Sequence, residues 1–224
     1  MSPAPAPVAL LAYPGCDLLD LGGPFDVLVT ANRLAARGGK AAPFAPVVVT
    51  ADGEPVSALG GLGLVPHQRA DALPKLAALI VPGAVAIQEA LADGALTALI
   101  GRLAARSERT ASVCTGAFLL AEAGLLRGRA ATTHHEDRAA LAARDDVGSV
   151  RSDARVVDAG AVLTAGALTC GIDLGLRLVA LLAEVDLAVA VAASLAHPWE
   201  PSAHALADLD ARPRPGHGDT GGRR

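Results

Sequence analysis

Apolar positions along this chain follow two rhythms. Short, nearly continuous apolar runs, several with β-branched residues, occupy 8–13, 46–50, 77–81, 110–113, 130–133 and 162–164, and each is predicted as a buried strand. Between them, 24–37, 87–105, 115–123, 136–143, 171–183 and 186–196 place apolar residues at helical spacing. Pro24 suits a first helical turn, and Gly124 stops the third of these helices. Residues 151–158 read as a short antiparallel hairpin or edge strand leading into the last buried run. Strands alternating with helices predict an α/β fold: an open, mostly parallel sheet with helices on both faces.

At 224 residues, with no long polar tract inside it, the chain is predicted to form one domain over 8–200. Residues 1–7 are expected to be a flexible N-terminus, and 201–224, rich in Pro, Gly and Arg, a disordered tail. Apolar residues make up 52% of the sequence but aromatics only 2%, so the core must be built from small aliphatic side chains. No apolar run approaches the roughly 18 residues of a membrane helix, and no basic region precedes the short apolar stretch at 8–12. A soluble, cytoplasmic protein is expected. The net charge of −4 and the absence of a basic cluster before the extreme C-terminus argue against nucleic acid as a partner. Cys16, Cys114 and Cys170 lack CxxC spacing, which predicts free thiols rather than a disulfide framework or a zinc site.

The candidate chemistry begins at Thr110-Ala111-Ser112-Val113-Cys114-Thr115-Gly116-Ala117, where a strand passes into a helix with only two residues at the junction. That is the layout of a nucleophile elbow, with the sulfur pushed out at the carboxyl edge of the sheet and Gly116 giving the turn room to pack. Nearby helix-start amides favour thiolate, so Cys114 is expected to be more acidic than a free thiol at about 8.5. The same pattern also suits a buried Cys acting as a small hydrophobe. A second strand ends in Val81-Pro82-Gly83-Ala84 at the same edge, and the N–H groups of Gly83, Ala84 and Thr115 are candidates for an oxyanion hole. The stretch after the first strand carries Asp17 and Asp20. A carboxyl beside a thiolate in an apolar pocket has its pKa raised and can hold a proton; solvated turn or capping residues are the other reading.

These segments occur together and in order: Tyr13-Pro14-Gly15 with Leu19-Asp20-Leu21-Gly22-Gly23-Pro24, Val81-Pro82-Gly83, Val113-Cys114-Thr115-Gly116-Ala117, Thr132-Thr133-His134, and Thr164-Ala165-Gly166 with Gly171-Ile172-Asp173. Over about 8–196 the chain thereby resembles the DJ-1/PfpI family, of the class I glutamine amidotransferase-like superfamily. Within it, the chain is most similar to isonitrile hydratases and to the sensor domains of certain AraC-type regulators. The resemblance implies a flavodoxin-like sandwich and a homodimer acting on a small molecule, with no metal or organic cofactor. It implies Cys114 as nucleophile, Thr115 as the residue after it that hydratases need, and Asp20 as their acidic partner, with Asp17 out of register. His134 matches a His that some members hold near the Cys, and Asp173 an acidic residue capping a late helix. Two positions depart from the family pattern: Ala84 stands where a second Gly is usual, and His135 where hydratases carry an aromatic. The implied activity is addition of water to an isonitrile. The alternatives are a small-molecule or redox sensor and a glyoxalase- or deglycase-like enzyme, whose relatives pair the Cys with Glu and His. The regulators continue into a helix-turn-helix region that this sequence does not reach, so DNA binding in cis is not expected. Cys16 and Cys170 read as spectator thiols.

Overall fold

Four strands that end at one edge frame the molecule, and the computed structural model describes them within residues 4–201. β1 (Ala6–Leu11) leads into α1 (Leu18–Arg37) and β2 (Phe44–Thr50). An excursion follows, with the small antiparallel pair β3 (Val56–Ser57) and β4 (Gly63–Leu64), then the edge strand β5 (Gln68–Arg69). Next come β6 (Leu76–Val81), α2 (Ile87–Ala92), α3 (Gly94–Ala104), β7 (Ser107–Val113) and α4 (Gly116–Glu122). The chain continues through β8 (Ala130–Ala131), α5 (Arg138–Ala142), β9 (Ser149–Val150), β10 (Val156–Ala159) and β11 (Val162–Ala165), and closes with α6 (Cys170–Leu182) and α7 (Val185–Ser194). The seven-stranded sheet runs β10-β11-β7-β6-β1-β2-β5, parallel except for the β10–β11 hairpin. Helices α1, α6 and α7 pack together, and α2, α3 and α4 form a second group. The α/β architecture anticipated from the apolar rhythm is therefore present.

The core is aliphatic, as the composition requires. Leu10, Leu79, Ile80, Leu103, Leu119 and Leu120 are fully buried between sheet and helices. With few large rings to fill space, helices approach closely through glycine. A Cβ on Gly175 would lie 2.9 Å from Val27 Cβ, and one on Gly23 3.3 Å from Ile172, so these small residues let α1 lie against α6. Among the described residues no helix is long and apolar enough to cross a membrane.

The structure corrects four boundaries. α1 starts at Leu18 rather than at residue 24, because the Asp17 side chain accepts the Leu19 N–H as an N-cap; Pro24 sits inside the helix. The single helix expected over 87–105 is two, divided at Asp93, whose carboxylate caps α3 through Ala95 and Leu96. Residues 130–133 are not a strand of the main sheet. Only Ala130–Ala131 pair, with β9, while Thr132 and Thr133 use their hydroxyls and amides to hook neighbouring elements. At the start, Ala6 and Pro7 already belong to β1, paired with Phe44 and Ala45, so the ordered sheet begins before residue 8; residues 1–3 of the expected flexible N-terminus lie outside the described residues. Pro7 is tolerated there because β6 pairs only from Val8 onward. Of the expected disordered tail, all but Pro201 lies outside the described residues.

Candidate active site

β1, β6, β7 and β11 are mutually parallel neighbours, so their carboxyl ends meet at one edge. Cys114 follows β7 directly with φ +56°, the left-handed backbone that L-residues adopt only when the surroundings hold them there. Four bonds hold it. Its N–H donates to Gly166 O (2.8 Å) and Ala165 O (3.1 Å), and its carbonyl accepts the Thr133 hydroxyl (2.8 Å) and the Ala117 N–H (3.4 Å). Gly116 is obligatory two residues on, because a Cβ there would fall 2.5 Å from Val81 O. The elbow read from the sequence is thus a strained, tightly packed turn.

Asp20 occupies the first turn of α1 and is fully buried. Its Oδ2 accepts the Gly83 N–H (2.9 Å), its Oδ1 has no hydrogen-bond partner, and the Cys114 thiol is near enough to act on its charge. Thr115 Oγ1 both accepts from Ala84 N (2.9 Å) and donates to Ala84 O (2.8 Å). The oxyanion hole expected from Gly83 and Ala84 is therefore not free: one amide is spent on the carboxyl and the other on the threonine hydroxyl. What faces the sulfur instead is the N–H of Thr115 and that of Leu168, a residue after β11 with φ +37°. A Cβ on Gly83 would meet Thr115 Oγ1 at 2.6 Å and Asp20 Oδ2 at 3.0 Å, so the missing side chain is what lets these three residues converge.

Burial sets the protonation of this group. It pushes the Asp20 carboxyl up to about 7, against the pull of the Gly83 N–H toward the ionised form. Burial likewise pushes Cys114 up to about 12, helped by the negative charge of Asp20 and opposed by the Thr115 and Leu168 amides. This reverses the expected acidification of the isolated thiol: the amides do favour thiolate, but desolvation outweighs them. Between these two values the Asp20–Cys114 pair as a whole retains one proton. Tyr13, whose hydroxyl donates to Pro82 O (2.9 Å), is driven further from ionisation by burial and by these acidic neighbours.

The DJ-1/PfpI family profile matches residues 6–181. The chain belongs to the DJ-1/PfpI family. It is 33% identical to an isonitrile hydratase of Pseudomonas putida over 181 residues, covering 81% of this chain and 74% of that protein. Among solved structures, a ThiJ/PfpI family protein from Pseudomonas syringae superposes with a TM-score of 0.75 at 28% identity, covering 92% of this chain and 86% of the other. An AraC family transcriptional regulator from Pseudomonas putida matches with a TM-score of 0.69 at 27% identity, covering 85% of this chain and all of that one. The resemblance read from the motifs thus extends to both branches it named.

The structure gathers Asp20, Gly83, Ala84, Cys114 and Thr115. His134 begins a short 3₁₀ turn, where its Nδ1 accepts from Glu136 N and lies 3.6 Å from Asp137 Oδ2, while its ring lies tilted by 35° against that of His135, centroids 4.3 Å apart. Asp17 is a helix cap. Cys16 is fully buried, with its thiol pushed upward by burial, and is bridged to Ala84 through the backbone. Cys170 is buried at the start of α6, its Sγ 3.3 Å from where a Gly166 Cβ would stand. Asp173 lies inside the first turn of α6 rather than at its N-cap, Thr169, and takes the Arg155 guanidinium at 2.7 Å. Two contributors escaped the sequence reading. Leu168 acts through its amide, which carries no side-chain signal; Thr133 was visible beside His134, but its bond to the Cys114 carbonyl spans 19 positions.

Proposed function

We propose that this protein is a cysteine-dependent hydratase that adds water to an isonitrile and releases an N-substituted formamide. The observation that carries the reading is the buried Asp20 carboxyl, fixed by the Gly83 N–H beside Cys114, where burial raises its pKa to about 7 and lets it hold a proton. In the thiolate–carboxyl arrangement, Cys114 Sγ attacks the terminal isonitrile carbon, forming an S–C bond, and that carbon takes the Asp20 proton to give a thioimidate. Water then adds across the C=N bond, hydroxyl to carbon and proton to nitrogen. Collapse breaks the C–S bond, forms the formamide C=O, and passes the hydroxyl proton to Asp20, restoring thiolate and acid. Thr115 and Leu168 present their N–H groups to the sulfur that gains and loses charge, and the Thr115 hydroxyl holds the Ala84 turn in place. The partner is a small molecule, and the acting form a homodimer. Likeness to the isonitrile hydratase supports the reaction.

The test is direct: incubate the purified protein with an alkyl isonitrile and measure formamide by chromatography, alongside Cys114→Ala and Asp20→Asn. Turnover in the wild type, lost in both variants, is expected; no formamide from any isonitrile, or a fully active Cys114→Ala protein, refutes it. Likeness to the AraC family regulator favours a second reading, a non-catalytic small-molecule sensor, which predicts ligand binding without turnover. Carbonyl chemistry of the glyoxalase kind is assayed in parallel with methylglyoxal, where Asp20 as the acidic neighbour of Cys114, in place of the Glu and His of such enzymes, predicts no activity.

A further inference from the structure

Arg155 lies before β10, outside the group of residues used so far, yet it grips both ends of the turn that reaches Cys114. Its carbonyl accepts the Gly166 N–H (2.9 Å), while the Gly166 carbonyl accepts the Cys114 N–H (2.8 Å), so one glycine ties the elbow to Arg155. Its guanidinium donates from Nε and Nη2 to Asp173 Oδ2 (3.1 and 2.7 Å) and from Nη2 to Thr169 Oγ1 (3.3 Å). Asp173 is nearly buried in the first turn of α6, and its other oxygen lies 3.4 Å from His197 Nε2. Between Gly166 and Asp173 stands Leu168, whose positive φ is costly for a leucine and whose carbonyl accepts the Gly171 N–H (2.9 Å). A planar guanidinium bridging a hydroxyl and a carboxylate fixes direction as well as charge, which a single ammonium does not.

We propose that Arg155 is a positioning residue for Cys114: by clamping Thr169 and Asp173 it holds the strained Leu168 turn with its N–H on the sulfur. The inference rests on Cys114 being the reactive thiol of the proposed reaction, and its test reads the thiol without requiring that reaction. The rate of carboxamidomethylation of Cys114 by iodoacetamide is followed by peptide mass spectrometry across pH, for wild type, Arg155→Ala, Arg155→Lys and Asp173→Asn. Losing one well-placed amide is expected to raise the apparent thiol pKa by about half to one pH unit, slowing alkylation about three- to tenfold at any pH below it. Arg155→Lys is expected to restore part of this, and Asp173→Asn to reproduce the Arg155→Ala shift. In the isonitrile assay, kcat should fall while KM stays put.

A residue that served only to stabilise the fold would lower the thermal midpoint and leave the alkylation profile unmoved. An Arg155→Ala or Asp173→Asn protein that is folded and titrates like wild type overturns the proposal. An Arg155-dependent profile in a protein that hydrates no isonitrile upholds the positioning role and defeats the hydratase reading alone.

Discussion

Replacing Asp20 by Asn tests the physical basis of the site most sharply, because its effect on stability should change with pH. The carboxyl is fully buried, and its folded-state pKa is raised from 3.8 to about 7, chiefly by desolvation. The folded state therefore binds this proton more tightly than the unfolded chain does. Stability from this group is fully present below 3.8, is lost as pH rises toward 7, and changes no further above that. A shift of this size corresponds to about 4 kcal/mol in all, of which roughly 2.5 kcal/mol falls between pH 5 and pH 8. Asn keeps an acceptor for the Gly83 N–H and does not ionise, so it escapes the loss. Urea unfolding of both proteins from pH 5 to pH 9 should show Asp20→Asn gaining on wild type through pH 8 and then running parallel. Taking the difference between the two cancels the ion-paired Asp71, Asp146 and Asp153, whose depressed pKa values give the opposite trend at acid pH. A difference that stays flat across this range, or that turns against Asn at high pH, would mean that the carboxyl is not held in its acid form. The same variant should lose formamide production by about 10² to 10⁴, the usual worth of a positioned proton donor.

Three further outcomes follow from the packing. Gly83→Ala drives a Cβ to 2.6 Å from Thr115 Oγ1, so a melting experiment should show a loss of about 1–3 kcal/mol, with turnover falling as Asp20 and Thr115 move apart. Thr133→Val removes the short bond to the buried Cys114 carbonyl, which keeps only the longer one from the Ala117 N–H (3.4 Å), and should cost about 0.5–1.5 kcal/mol in denaturant unfolding. His134→Ala should keep kcat/KM within about twofold of wild type, because no proton in the proposed reaction passes through it; a tenfold loss would bring His134 into the mechanism.

Most strands of the main sheet were legible because buried parallel strands are largely apolar, as at 77–81, whereas the edge strand β5, only Gln68–Arg69 and exposed, carried no such signal. Residues 130–133 misled: β-branched threonines look like strand, but Thr132 and Thr133 are used as hydrogen-bonding hooks. The start of α1 was obscured by Gly22 and Gly23, poor helix formers on their own, yet Gly23 lies in the helix where it packs against Ile172. Asp20, Cys114 and Thr115 were legible as a candidate set through turn chemistry and family resemblance, whereas Leu168 was not, since a backbone amide looks alike in every sequence.

The amino-acid order by itself determined the alternation of elements and the sharp turn at Cys114, because both rest on side-chain periodicity and on neighbours within a few positions. Tertiary structure alone decided which amides are spent and where the proton resides. The Gly83 N–H is taken by a carboxyl 63 positions away, and the acidity of Cys114 is governed by the burial that the assembled sheet and helices impose. Desolvation and long-range hydrogen bonds depend on what lies near in space, and that is fixed only when the chain has folded.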